Sequence, residues 1–383
     1  MKKNWLVLAA VLISGYAFQG CIKEYDYDFS IKDGINRYDI NWAAAADSST
    51  GFLIKNFWNG SAGYFNKSNV DQGFNYWPQA HGLDVLTDAY LRTQKAEYKD
   101  MFDKWFDGVN KKNGNSFLNH FYDDMEWNGL AILRVYDATN ADKYKTAVGN
   151  IWTDIKTGWN DNQGGGISWN KSTPDYKNTP ANAPASILAA RLYQRFKNED
   201  DLVWAKKIYE WLKSTLYDPS TGFVYDGINS QGDGKRDDWP LTYNQGTMIG
   251  AALELYHITK EKSYLNDAMR IADNTLTSAS LTTADRLLRD EGQGDGGLFK
   301  GIFIRYFTEL IQEPDLEEAV RKRYVAFFKL NAETLWYVGA NKELGLYGTY
   351  WRTPAGTTTD LTTEESGAML MEAAALLHSK TLL

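Results

Sequence analysis

The sequence predicts an all-α fold, an (α/α)6 toroid in which six inner helices are surrounded by six outer helices. Six apolar segments rich in small residues are spaced by 46, 59, 61, 54 and 65 residues, and they begin near Trp77, Asp123, Asn182, Tyr243, Gly297 and Thr362. More polar, amphipathic segments alternate with them, and the period-two pattern of strands is nearly absent. Helices that are apolar on all sides are buried and amphipathic helices cover them, so the repeat predicts two concentric layers.

The remaining elements follow from the segments between these apolar helices. Amphipathic periodicity predicts outer helices at 40–57, 142–156, 200–216, 262–277 and 315–336. Because glycine permits tight turns, the loops between the layers are predicted at four glycine-aromatic segments, 59–64, 164–169, 220–225 and 345–351. No proline- or serine-rich linker interrupts the series, so residues 38–383 are expected to form a single domain.

The N-terminus has the pattern of a processed leader. Lys2 and Lys3 precede an apolar stretch at 6–17 that is too short to span a bilayer. Cys21 follows, and because it is the only cysteine it excludes an intramolecular disulfide and a thiolate metal cluster. Its position resembles the lipobox of bacterial lipoproteins, in which the cysteine is lipidated and becomes the mature N-terminus.

This resemblance implies a lipoprotein signal peptide at 1–20 and a flexible tether at 21–37. We therefore expect an extracytoplasmic protein that contacts the membrane only through a lipid anchor in the outer membrane. The acidic segment 23–26 resembles an export signal for the cell surface. An ordinary signal peptide cleaved near Cys21 is the alternative.

Composition limits the classes of ligand. The net charge of −8 and the absence of a basic patch exclude nucleic acid. Trp and Tyr number 14 and 24 against 17 Phe, which indicates amphipathic rings in a cleft, and carbohydrate is the ligand that uses ring faces most. The four histidines, His81, His120, His257 and His378, lack ligand spacing, and the acidic glycine-rich segment 290–297 lacks the calcium-loop pattern. We expect a monomer without metal or cofactor, with 290–297 lining the cleft.

The pair Asp123-Asp124 is the strongest candidate for chemistry. Of the other two Asp-Asp pairs, Asp200-Asp201 begins an amphipathic helix, and Asp237-Asp238 lies in a polar loop beside Arg236. Asp123-Asp124 instead opens a buried helix among aromatic residues, without a cation before Arg134. The charge of one buried carboxylate favours the protonated form of the other, which is the arrangement that a glycosidase needs. Capping of the helix is the structural alternative.

The segment around this pair resembles glycoside hydrolase family 76, the endo-α-1,6-mannanases. It reads Tyr-Asp-Asp-Met-Glu-Trp at 122–127, and agreement continues in order at 77–80, 177–184, 242–246 and 297–306. The resemblance covers about residue 38 to the C-terminus and implies an (α/α)6 barrel. It implies cofactor-independent hydrolysis of the α-1,6-mannan backbone of fungal-type mannan, with retention of configuration. It assigns Asp123 as the nucleophile and Asp124 as the general acid/base.

Candidate sugar contacts come from polar and aromatic side chains near the starts of the inner helices. They are Trp77, Gln79, Tyr122, Trp127, Asn178, Asn182, Asn244, Gln245, Lys300 and Phe303. Amides can bind pairs of mannose hydroxyls and rings can stack on pyranose faces. Amides also cap helices, and aromatic residues at helical spacing also form cores, so each assignment has a structural alternative.

The residues are also compatible with other functions. A non-catalytic glycan-binding lipoprotein of a polysaccharide-uptake system explains the aromatic residues but leaves the carboxyl pair unexplained. Another (α/α)6 enzyme, an inverting mannosidase or an unsaturated uronyl hydrolase, uses the same scaffold. Transglycosylation, as in related fungal wall proteins, is a further alternative.

Overall fold

The inner layer of the computed structural model, which describes residues 37–383, is a ring of six helices. They are α2 (Gln79–Thr93), α4 (Tyr122–Thr139), α6 (Ala183–Phe196), α8 (Thr242–Thr259), α10 (Gly296–Ile311) and α12 (Leu361–Ser379). Each helix packs on the inner helices before and after it, and α12 packs on α2, which closes the ring. The predicted (α/α)6 toroid is therefore confirmed.

Six outer helices cover this ring. They are α1 (Trp42–Phe57), α3 (Ala96–Lys112), α5 (Asp142–Lys156), α7 (Glu199–Thr215), α9 (Lys262–Thr277) and α11 (Glu318–Thr334). Two of them have the predicted bounds, whereas the helix predicted at 315–336 ends earlier, in a π-turn at Leu335–Gly339. None of the helices described is both long and apolar enough to cross a membrane. The predicted leader and Cys21 lie outside the described residues.

The two ends of the toroid differ in their connections. Four inner helices are followed by a residue in the left-handed conformation, which ends the helix. The next outer helix then starts within two or three residues. These left-handed residues are Gln94, Asn140, Lys197 and Lys260. The connections from outer to inner helices are much longer. The N-terminal ends of the inner helices therefore share one face with all the long loops, called the loop face below.

Short strands order the loop face. β1 (Trp58–Asn59) pairs with β2 (Tyr64–Phe65), and β6 (Ala340–Asn341) pairs with β7 (Leu346–Tyr347), both antiparallel. β3 (Lys177–Asn178), β4 (Gly227–Ile228) and β5 (Arg236–Asp237) form one antiparallel sheet in the order β3-β4-β5. Because β3 precedes α6 while β4 and β5 precede α8, this sheet joins the loops of two neighbouring repeats.

A buried amide at the start of an inner helix holds each of three loops. Gln79 accepts a hydrogen bond from the Phe65 backbone N–H at 2.8 Å and donates to the Phe65 carbonyl at 2.9 Å. Its nitrogen also donates to the carbonyl of Asn75, four residues earlier, at 3.0 Å. One side chain thus completes the hydrogen bonding of a loop residue as a neighbouring strand would.

The same two-way pairing, called the amide clamp below, recurs in two other repeats. Asn182 pairs with both backbone groups of Ile167, and Gln245 pairs with both backbone groups of Val224. Gln79, Asn182 and Gln245 are completely buried. The prediction that they contact sugar is wrong, because the loop backbone uses their amide groups.

Glu364 occupies the corresponding place in the first turn of α12. Its Oε2 accepts a hydrogen bond from the Tyr347 N–H at 2.9 Å, while Oε1 is buried without a hydrogen-bond partner among the described residues. Burial raises the pKa of Glu364 to about 8. A proton on Oε1 would give Glu364 the donor that the amide nitrogens supply in the other clamps.

Replacing Glu364 by Gln should make stability less dependent on pH. The raised folded-state pKa contributes stability that is fully present below the ordinary pKa of 4.5 and is lost as pH rises through about 8. The Gln amide stays neutral, so the Tm of Glu364→Gln should rise relative to the native protein between pH 5 and pH 9. Thermal unfolding across this range measures it, with the exposed Glu97→Gln as the matched control. If the difference in Tm between Glu364→Gln and the native protein is the same at pH 5 and pH 9, the prediction is wrong.

Candidate active site

A cavity of about 640 Å³ opens on the loop face. Its wall contains four aspartates, Asp123, Asp124, Asp226 and Asp295. Eight aromatic residues also line it: Trp77, Phe121, Trp127, Trp169, Tyr176, Trp239, Tyr243 and Phe299. No Lys, Arg or His is among the described residues that line this cavity. Apolar rings and uncompensated carboxyl groups therefore meet in one concave site.

Asp123 and Asp124 lie in the first turn of α4. The start of this helix is held by the loop before α6, because the Tyr122 N–H donates to the Trp169 carbonyl at 3.0 Å. Consecutive residues on a helix point about 100° apart. At a helix start both side chains can nevertheless face the same cavity, and both line it.

The two carboxyl groups have unusual proton affinities. Burial raises the pKa of Asp123 to about 7, although its Oδ2 accepts a hydrogen bond from Trp169 Nε1 at 3.2 Å that lowers it. Burial, followed by the charges of Asp123 and Asp295, raises the pKa of Asp124 well above its usual range. Near neutral pH, the pair therefore retains a proton that two exposed carboxylates would lose. Asp123 is the member more easily ionised.

Asp295 brings a third carboxylate from the N-terminal end of α10. It accepts a hydrogen bond from Trp77 Nε1 at 2.9 Å, which connects the loops before α2 and α10 across the cavity. It belongs to the segment 290–297, which the sequence predicts to line the cleft, and Asp295 does so.

Asp226 lines another part of the cavity. It is not among the site residues that the sequence predicted. Its carboxylate accepts hydrogen bonds from Asn244 Nδ2 at 2.8 Å and from Tyr176 Oη at 3.3 Å. Burial raises the pKa of Asp226 to about 6. It follows directly on the predicted loop 220–225, but it is a single aspartate at the edge of a strand without a second acidic residue beside it. Only the folded chain brings it to the cavity that contains Asp123.

Three predicted sugar contacts line the cavity, namely Trp77, Trp127 and Asn178. Asn244 is completely buried and lies outside the cavity wall, so its predicted sugar contact is wrong; it holds Asp226 instead. The predicted sugar contact of Tyr122 is also wrong, because Tyr122 is buried with its ring against Gly158 and does not line the cavity.

Lys300 and Phe303 are buried within the helix layers and do not line the cavity. The Lys300 ammonium lies 5.8 Å from the centre of the Trp351 ring. Phe303 stacks on Phe307 with ring centres 5.2 Å apart, and its backbone closely approaches Gly246 of α8. Both predictions of sugar contact are wrong, because neither side chain reaches the cavity.

The other Asp-Asp pairs lie outside the cavity, as predicted, but Asp237 belongs to a strand and not to the predicted polar loop. Asp201 accepts a hydrogen bond from Trp152 Nε1 at 2.8 Å, and Asp200 forms an ion pair with Lys156 at 3.4 Å. Asp237 belongs to β5 and accepts a hydrogen bond from Ser230. Neither pair lines the cavity. Within residues 37–383, no three His, Cys, Asp or Glu side chains are arranged to hold a metal ion.

A buried carboxyl pair at the start of an inner helix, in an aromatic cavity of an (α/α)6 toroid, defines a glycoside hydrolase. The model of glycosyl hydrolase family 76 matches residues 41–382, and the chain belongs to this family. Because that match spans nearly all of the described residues, the family assignment applies to the toroid as a whole.

Similar proteins include solved structures. The GH76A α-1,6-mannanase of Salegentibacter sp. HEL1_6 has 44% sequence identity and a TM-score of 0.85, over 88% of this chain and 100% of that chain. An inactive variant of that protein, with two consecutive aspartates replaced by asparagine, was solved in complex with α-1,6-mannotriose.

Curated relatives match over shorter stretches. The mannan endo-1,6-alpha-mannosidase DCW1 of Candida albicans is 27% identical over 170 residues, which are 40% of this chain and 37% of that protein. The protein of the same name from Saccharomyces cerevisiae is 32% identical over 120 residues, 28% of this chain and 27% of that protein. The chain thus spans about a third of the length of these relatives.

Replacing Trp169 by Phe should raise the pKa of Asp123. The variant keeps a ring in the cavity wall but removes the N–H that stabilises the ionised carboxylate. The pKa should therefore move upward from about 7, which a pH titration of ¹³C-labelled aspartate carboxyl groups by NMR measures. The control Trp152→Phe loses a hydrogen bond to Asp201 instead. In this control the pKa of Asp123 should stay unchanged. An unchanged or lowered pKa in Trp169→Phe would falsify the assigned effect of this bond.

Proposed function

We propose that this protein is an endo-acting α-1,6-mannanase that cleaves the α-1,6-linked mannan backbone with retention of configuration. The observation that carries the proposal is the pair Asp123-Asp124, buried in one cavity with unequal proton affinities. The similar Salegentibacter protein supports it, because consecutive aspartates were replaced in the inactive variant that holds α-1,6-mannotriose.

Asp123 acts as the nucleophile in this mechanism. Its carboxylate, stabilised by Trp169, attacks the anomeric carbon of mannose as the glycosidic bond breaks. Asp124, which keeps its proton because of burial and the charge of Asp123, donates that proton to the departing 6-oxygen. Asp124 then takes a proton from water, which attacks the glycosyl-enzyme ester and releases a mannan fragment whose new reducing end has the original configuration.

The charge of the cavity distinguishes among substrates. Four aspartates and no cation among its described lining residues favour a neutral sugar, because an anionic group would meet uncompensated carboxylates in a poorly solvated site. This opposes the unsaturated uronyl hydrolase alternative, whose substrate carries a carboxylate. Mannose is neutral and its pyranose ring can stack on the aromatic wall.

The carboxyl pair also opposes a purely binding function. Two adjacent buried carboxyl groups without a cation cost free energy of folding, and binding a neutral sugar does not require that arrangement. Asp123 Oδ1 has no hydrogen-bond partner among the described residues. A carboxyl oxygen without a protein partner fits an attacking group better than a structural cap.

Wild-type protein should release oligosaccharides from unbranched α-1,6-mannan, and Asp123→Asn and Asp124→Asn should each lose activity by about 10²- to 10⁴-fold. Asn keeps the size of Asp but cannot attack or transfer a proton. Mass analysis of the products measures release, and Asp200→Asn, in the pair at the start of α7, is the matched control. Binding of the polymer without cleavage by the wild type supports the glycan-binding alternative, and full activity of both site variants rules out the assigned pair.

The stereochemical outcome of the reaction is tested on the same products. Proton NMR of the anomer released first should show the α-anomer, and the β-anomer supports an inverting enzyme. Longer oligosaccharides that accumulate at high substrate concentration would indicate transglycosylation. These outcomes test retention of configuration independently of which substrate is cleaved.

We further propose that the chain is anchored at the outer membrane by a lipid on Cys21, with no other contact with the membrane. Cells that express the full chain should incorporate labelled palmitate into the native protein and not into Cys21→Ser, because serine offers no thiol for the lipid. Globomycin should cause the precursor to accumulate. Equal labelling of both proteins, or none in either, overturns the anchor and supports an ordinary signal peptide.

A further inference from the structure

Trp239 is the aromatic residue of the cavity wall that is most open to solvent. Half of its surface, 50%, is exposed, whereas the other seven aromatic residues that line the cavity are buried or half-buried. Trp239 therefore stands at the rim of the cavity that contains Asp123 and Asp124.

The backbone around Trp239 is well held. β5 ends two residues earlier and pairs with β4, with Asp237 opposite Gly227. Pro240 restricts the backbone of the residue before it. The Trp239 carbonyl accepts a hydrogen bond from the Leu241 N–H at 2.9 Å, and Arg289 donates to the Pro240 carbonyl at 3.3 Å. The exposed ring is thus carried by an ordered segment.

Within residues 37–383, the Trp239 side chain has no hydrogen-bond acceptor, stacked ring or cation as a partner. Trp204, which is half-buried on α7, shows the contrast, since the Lys207 ammonium lies 4.6 Å from the centre of its ring. Tryptophan has a large apolar surface and an N–H that seeks an acceptor, so a ligand in the adjoining cavity can contact both the face of this ring and its N–H.

We propose that Trp239 is a stacking platform for a mannose residue of the α-1,6-linked chain that lies away from the bond being cleaved. The inference rests on the proposed function and extends it to chain length. The occupant follows from continuity, because Trp239 and the catalytic pair line one cavity, so a chain bound at Asp123 continues along the same wall. The apolar face of a neutral pyranose matches the indole ring, and the ring hydroxyls can accept its N–H.

Trp239 is a specificity residue in this proposal and contacts no reacting atom. Its effect should appear mainly in KM, and it should grow with the length of the substrate. A chain long enough to reach the rim gains the stacking contact, whereas a short oligosaccharide bound around Asp123 and Asp124 gains little of it. The platform thus favours polymer over small products.

The test compares kinetics of the wild type, Trp239→Ala and Trp239→Phe on α-1,6-mannotriose, α-1,6-mannotetraose and unbranched α-1,6-mannan. For Trp239→Ala, kcat/KM on the polymer should fall about 3- to 10-fold, mostly through KM, with the smallest loss on the shortest substrate cleaved. Trp239→Phe keeps a ring and should recover most of the loss. Val203→Ala, which truncates an exposed apolar side chain on α7, is the control.

Two outcomes overturn the platform while leaving the proposed function intact. One is unchanged KM on every substrate in Trp239→Ala. The other is an equal loss in kcat on all lengths together with a lowered Tm, which indicates that the ring supports the fold of the site.

Affinity electrophoresis in gels containing α-1,6-mannan provides a readout that does not need catalysis. Trp239→Ala should migrate faster than the wild type and Val203→Ala, because it binds the polymer more weakly. If the wild type does not cleave mannan, the proposed function fails, and this mobility difference still decides the platform. Equal mobility of all three proteins overturns it.

Discussion

The amide clamp is the interaction on which the loop face depends. Gln79, Asn182 and Gln245 each satisfy both backbone groups of a loop residue from a position at the start of an inner helix. A buried backbone group left without a partner costs about 1–3 kcal/mol, so each clamp strongly favours one loop position. The loops before α2, α6 and α8, which carry Trp77, Trp169 and Asp226, are thereby fixed relative to the helix ring.

The clamps make the electrostatics of the site possible. Once the loop before α6 is held, Trp169 reaches Asp123 and the backbone at Trp169 fixes the start of α4. Once the loop before α8 is held, Asp226 reaches the same cavity. The carboxyl groups then meet without a cation among the described lining residues, and burial together with mutual repulsion keeps Asp124 protonated beside an ionisable Asp123. A rigid scaffold of backbone hydrogen bonds thus maintains an arrangement of charges that is unfavourable by itself.

Sequence reasoning predicted the helices well and the sugar contacts poorly. The helices at 142–156 and 262–277 have the predicted bounds, because amphipathic periodicity is a local property of the chain. Gln79, Asn182 and Gln245 were misassigned because an amide at a helix start has the same sequence pattern whether it binds a backbone or a sugar. The direction of the side chain and the identity of its partner depend on residues distant in sequence.

The sequence by itself determined the alternation of apolar and amphipathic helices, and hence the (α/α)6 fold. It also singled out Asp123-Asp124, because a doublet that opens a buried helix without a nearby cation is visible in a few consecutive residues. Only the tertiary structure decided that Asp226 joins this pair, that Asn244 acts through Asp226, and that Trp239 stands at the rim. The physical reason is that proton affinity, burial and contact with a cavity arise from groups brought together by packing, and no local pattern in the chain specifies them.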